Sequence, residues 1–183
     1  MGVRDTKSLS ALGFLTVVEH EQLGLFGGYL VLNAGGRPLE FHCTAPIKPN
    51  RAQQILYGAT LEPYLYGEQI GQTLVTKAET KPGLVCTDLP AVLAVREHVE
   101  LPVALVLPPS PGDGTALRFD EAHALREPAS FTVGRNRLSV SWRHSGDRSE
   151  VASQLAALDD GFDLAEPFAR IREAIEEAQR SGR

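Results

Sequence analysis

Only two of the 183 residues are cysteine, Cys43 and Cys86, and they stand far apart in the chain. That excludes a disulfide framework. With no CxxC pair anywhere, it also excludes a cysteine-built structural zinc, and widely separated thiols suit a reducing cytosol. No run of about 20 apolar residues occurs, so no membrane span is expected. The opening MGVRDTKSLS lacks the apolar stretch of a secretory signal. Gly2 with Thr6 matches the short myristoylation pattern, yet residues 1–10 read most simply as a polar, flexible lead. Positive charge is scarce too: 18 Lys and Arg stand against 23 Asp and Glu, for a net charge of −5. A phosphate-backbone binder usually carries a basic excess on one face, so no nucleic-acid partner is expected.

Motifs for nucleotides and metals are broken. Residues 120–123 spell DEAH, but the phosphate-cradling GxxxxGKS or GxxxxGKT loop which that motif needs is absent. His20 and Glu21 open like HExxH, yet Gly24 stands where the second histidine belongs. Gly112 and Gly114 begin a GxGxxG, but position 117 is leucine and PPSP precedes in place of a strand. There is no GxSxG elbow. The five histidines (His20, His42, His98, His123, His144) are dispersed. Neither a cofactor nor a metal site is expected.

What is present is ordinary globular composition, 43% apolar and 22% charged. A chain of this length buries roughly 70% of its unfolded surface and needs no staples. The apolar, β-branched LGFLTVVE, then YLVLN, then the alternating PLEFHCT predict an antiparallel β-meander over about 12–44. In the third strand, Leu39, Phe41 and Cys43 are expected to face the core, with Glu40 and His42 outward. APIKPN ends the sheet, because proline cannot donate to a ladder. Asn50 suits an N-cap for RAQQILY, and Thr60 for a second helix in which Gly67 and Gly71 imply a close backbone approach. GLVCT, a short helix after Asp88 and Pro90, and LPVALVL make a strand–helix–strand unit, followed by a hairpin around GRNR. Two C-terminal helices close the chain. In the last, Leu164, Phe168, Ile171 and Ile175 recur at heptad-like spacing. The expected fold class is α+β: a meander covered by helices, extended by the strand–helix–strand unit and hairpin. Its divisions are a lead at 1–10, a domain at 11–145 and a helical segment at 149–183 that packs on it or projects.

Candidate functional residues cluster after the meander. All four tyrosines fall within residues 29–66. Tyr57, Tyr64 and Tyr66, with Arg51 upstream, combine the two residue types enriched at binding hot spots. His42 shares a strand face with Glu40, so carboxylate and imidazole can converge. Cys86 lies where a helix N-terminus could lower a thiol pKa. Two functions compete. One is a cytosolic, non-catalytic protein-interaction or accessory subunit whose working surface is residues 42–66 and whose partner is another protein or a second copy. The other is a small cysteine-dependent enzyme, with Cys86 as thiolate nucleophile and His42 or His98 as base.

Overall fold

β1 (Leu12–His20) and β2 (Gly24–Leu32) pair antiparallel over nine residues, from Leu12 opposite Leu32 to His20 opposite Gly24. The computed structural model describes residues 11–109 and 130–182. The 1–10 lead, Gly112, Gly114 and the DEAH run lie outside them. β3 (Pro38–Cys43) adds to the free side of β2. β4 (Leu84–Thr87) and β5 (Val103–Leu107) continue beside β1 in parallel, and β6 (Phe131–Val133) and β7 (Asn136–Val140) form the closing hairpin. The seven-stranded order is β3-β2-β1-β4-β5-β7-β6. This is the α+β fold that the apolar runs and turn residues predict.

The sheet is buried on both faces, as a continuous apolar strand such as β1 requires. On one face Phe14, Leu12 and Leu30 meet α3 (Asp147–Leu155) and α4 (Glu166–Ser181), with Phe168, Ile171 and Ile175 of α4 buried against them. Phe14 and Phe168 pack edge to face, ring centres 5.6 Å apart. On the other face Leu15, Val17 and Tyr29 meet α2, a continuous helix over 61–77, and the 3-10 helix Pro90–Glu97. The middle of α2, Tyr64–Gln72, is π-wound. Two glycines set how deeply these layers seat. A Cβ on Gly28 would fall 2.3 Å from Ile171 Cγ2, so α4 reaches the sheet only because that side chain is absent. A Cβ on Gly67 would fall 2.7 Å from Ala94 Cβ, which explains a glycine inside α2 despite its cost there.

α1 (Arg51–Tyr57) is a surface helix with no buried residue. Asn50 caps it as expected, its Oδ1 accepting from Gln53 N at 2.8 Å, while Gln53 Oε1 accepts from Asn50 N at 3.1 Å. Thr60 does not cap α2. Its hydroxyl donates back to Tyr57 O at 2.7 Å.

The expected facing of β3 is reversed. Leu39 and Phe41 are 49% and 39% exposed and Cys43 is exposed, while Glu40 and His42 are the half-buried pair. The reason is that β3 is an edge strand. α4 seats over β1 and β2, and neither Leu39 nor Phe41 belongs to the buried cluster it forms there. On the opposite face the chain after α2 folds over Glu40, whose carboxylate accepts from Glu79 N at 2.9 Å and Thr80 N at 2.7 Å. Among the described residues no helix is long and apolar enough to cross a membrane.

Candidate functional site

In a sheet with a parallel centre, ligands collect beyond the carboxyl ends of the parallel strands. The β1–β4 register pairs Phe14 with Cys86. Two residues further on, Thr16 comes beside Asp88, which follows the last residue of β4. Thr16 Oγ1 donates to Asp88 Oδ1 at 2.6 Å. From α4, Arg172 Nη2 bonds Asp88 Oδ2 and lies 3.4 Å from Thr16 Oγ1, to which it donates. Both bonds that Arg172 makes to described residues run through Nη2, so the rest of the guanidinium keeps donors available. Thr16 is fully buried, Asp88 half-buried, and the Arg172 side chain 39% exposed. A buried hydroxyl therefore anchors a carboxylate, and the carboxylate fixes a cation at the surface.

On the opposite, α2 face of the sheet, a cleft of about 460 Å³ opens at the β1–β2 turn. Glu19, Glu21 and Glu62 line it with Lys48, Gln54 and Tyr66. Burial, then the nearby charges of Glu62 and Glu19, push the Tyr66 hydroxyl pKa up. An anion entering here would meet three carboxylates against one lysine. The cleft is thus ill suited to an anion, whereas the Arg172 guanidinium faces solvent as a cation.

The residues singled out by sequence fall in three places. Cys86 is wholly buried between Phe14 and Ala104, and burial pushes its thiol up to about 12. The thiolate reading is therefore overturned. The helix dipole cannot compensate, because the thiol has no water and points into the core of the α4 face. His42 pairs with Tyr29 across the sheet, on the α2 face, and His98 is exposed beyond the 3-10 helix, so neither serves Cys86 as a base. His42 does meet Glu40, bonding its Oε1. That carboxylate is drawn down to about 2, first by His42 and then by the backbone N–H of Thr80 and Glu79. Tyr57 and Tyr64 stack, ring centres 4.4 Å apart at 22°, and Tyr64 Oη accepts from Gln69 Nε2 at 2.7 Å. Arg51 is exposed on α1, and Tyr66 is half-buried in the cleft. The sequence reading missed Thr16, Asp88 as a partner, and Arg172. Asp88 was visible only as a cap candidate, and it caps nothing.

Among solved structures, human endonuclease V matches this chain with a TM-score of 0.53 at 17% identity, covering 95% of this chain and 86% of that one. Endonuclease V of Ciona intestinalis, in complex with a 23mer DNA, matches with a TM-score of 0.50 at 10% identity, covering 94% and 88%. The fold is that of endonuclease V. No family model and no curated protein matches the sequence.

This likeness corrects the expectation of a non-catalytic accessory subunit with a protein partner or second copy, and of a chain without a nucleic-acid partner. Those expectations rested on missing motifs and on net charge. Net charge averages over the whole surface, whereas a phosphate meets a few local cations. Motifs record neighbours in sequence, whereas Thr16, Asp88 and Arg172 are 72, 84 and 156 positions apart pair by pair.

Strand cleavage often uses carboxylates converging on one or two divalent cations. Among the described residues no group of three or more His, Cys, Asp or Glu could hold a metal ion. At the end of β4, Asp88 is engaged through both oxygens, and its neighbour on β1 is a threonine. These donors do not fit a divalent cation.

Proposed function

We propose that this chain acts on nucleic acid, engaging the phosphodiester backbone at the carboxyl end of β1 and β4. The observation that carries this is the Arg172 guanidinium, clamped by Asp88 and Thr16 yet open to solvent, in a fold shared with endonuclease V. Arginine presents a planar fork that matches two phosphate oxygens. The same charge would stabilise negative charge growing on those oxygens during phosphoryl chemistry.

Arg51 and the stacked Tyr57–Tyr64 pair supply a lateral contact at the same end of the sheet, since α1 borders the cleft through Gln54. Aromatic rings give base-stacking platforms that tolerate any sequence. His42 is spent on Glu40, its neighbour on the same strand. A cytoplasmic setting, in which Cys43 and Cys86 stay reduced, suits this role.

The test is fluorescence anisotropy of labelled single- and double-stranded DNA and RNA with the full chain, the same samples then being run on a denaturing gel to read cleavage. The expected result is saturable binding that weakens as salt rises, because counterions are released from the phosphates. Absence of binding to every probe at about 100 µM protein, the weak end of non-specific affinities, would overturn the reading.

A further inference from the structure

We infer that Arg172 stands in for a divalent cation at the carboxyl end of β1 and β4, so that this chain holds a phosphodiester without magnesium or manganese. The inference rests on the nucleic-acid reading above and adds what that reading leaves open: how the phosphate is neutralised.

Four observations converge. Both oxygens of Asp88 are occupied, Oδ1 by the Thr16 hydroxyl at 2.6 Å and Oδ2 by the Arg172 guanidinium. A divalent ion needs oxygen donors at about 2.0–2.6 Å and would have to displace the guanidinium or lie against its charge. Next, the neighbouring position on β1 is Thr16, a neutral and fully buried hydroxyl. A second anionic ligand is therefore missing where the strand register would supply it.

The position of Arg172 is also set by the buried face of α4. Phe168, Ile171 and Ile175 anchor the helix face, and Gly28 lets Ile171 descend onto the sheet. The guanidinium is thus delivered by a packed helix and not by a loop. Finally, Asp88 and Thr16 engage Nη2 alone among the described residues, so the carboxylate orients the cation and leaves the remaining edge for phosphate. A planar fork fixed in this way does what a bound metal does for the ground state. It brings positive charge and direction to two phosphate oxygens, with no ion to recruit.

The test uses the full chain and a labelled single-stranded oligonucleotide, titrated in excess EDTA and again in magnesium. Wild type is expected to bind with the same affinity in both, within twofold. Arg172→Ala is expected to weaken binding about tenfold or more in both, and Arg172→Lys to recover only part of it, because a point charge lacks the fork. The Arg172→Ala/Asp88→Ala pair, which leaves no unpaired carboxylate, is expected to bind as weakly as Arg172→Ala while still melting cooperatively, somewhat below wild type because the Thr16 hydroxyl loses its partner. This separates loss of contact from loss of fold. In a second arm, manganese alone is titrated and its free electron paramagnetic resonance signal followed. Wild type and Asp88→Ala are expected to give identical curves.

Affinity that collapses in EDTA, wild-type affinity in Arg172→Ala, or manganese uptake that Asp88→Ala loses would each overturn the substitution while leaving nucleic-acid binding intact. Failure of wild type to bind in either buffer would instead sink the nucleic-acid reading itself.

Discussion

Glu40 and Asp88 each hold a basic side chain, in very different surroundings. Glu40 is saturated: His42 bonds it from the same strand, and the N–H groups of Glu79 and Thr80 close on it from the chain after α2. It is a clasp joining edge strand to helix end, with little left to offer a ligand. Asp88 takes a hydroxyl from β1 and a guanidinium from α4, and the guanidinium stays open on its outer side. The number of bonds around a carboxylate does not separate a structural site from a working one. What differs here is that the group held by Asp88 faces solvent with unused donors, which is why the proposed function rests on Arg172 and not on His42.

The largest expected effect comes from removing what carries Arg172 while leaving the clasp alone. Phe168→Ala deletes a ring that is wholly buried against Phe14. Core Phe→Ala changes cost about 3–5 kcal/mol through lost burial and the cavity left behind. Chemical denaturation should show that loss. Amide exchange should rise along α4 before it rises at Thr80, whose N–H is held by Glu40. Equal loss of protection at both places would mean that the two clusters belong to one cooperative unit, and the comparison would fail.

A middle effect is expected from Thr16→Val, nearly the same shape without the hydroxyl. Asp88 Oδ1 loses its 2.6 Å donor in a half-buried setting. Leaving such an acceptor short costs about 1–3 kcal/mol. The same variant should loosen the grip on the guanidinium and weaken oligonucleotide binding without abolishing it. A melting temperature equal to wild type would show that Asp88 needs only Arg172.

The two clusters also differ in how readable they were from sequence. Glu40 and His42 are two apart on a strand, so period-two alternation puts them on one face, and their meeting follows from residue spacing alone. Their burial was misjudged because alternation says which residues share a face but not which face is covered. At an edge strand the answer depends on where α4 stops. The meander, α1 with its Asn50 cap, the strand–helix–strand unit and the apolar seam of α4 were legible for the same reason: each is a local pattern. Thr16, Asp88 and Arg172 carry no such signal. Thr16 sits inside an apolar strand, Asp88 in a loop that resembles a cap, and Arg172 among alternating charges on an amphipathic helix. Only the parallel β1–β4 register and the seating of α4 on Gly28 bring them together. Cys86 failed in the opposite way. Its neighbours in sequence imitate an activated thiol, and packing puts it at the centre of the core.

The least intrusive change, Glu40→Gln, tests whether the clasp depends on charge. The Glu40 carboxyl is lowered from 4.5 to about 2, with the His42 bond as the leading cause and the backbone N–H groups of Thr80 and Glu79 behind it. A folded-state pKa below the unfolded one contributes stability that is fully present above about 4.5 and is lost as pH falls toward 2. Glutamine keeps one carbonyl acceptor and has no proton to take up in that window. Wild type should therefore melt higher than Glu40→Gln near neutrality, and the gap should close progressively below about pH 4.5. Thr16→Val, which retains Glu40, should not close its own gap to wild type over that interval through this group. Parallel melting curves for wild type and Glu40→Gln from neutrality to acid would show that the clasp works by shape alone. Its charge would then be incidental, and the contrast with Asp88, whose charge is what orients Arg172, would be sharper still.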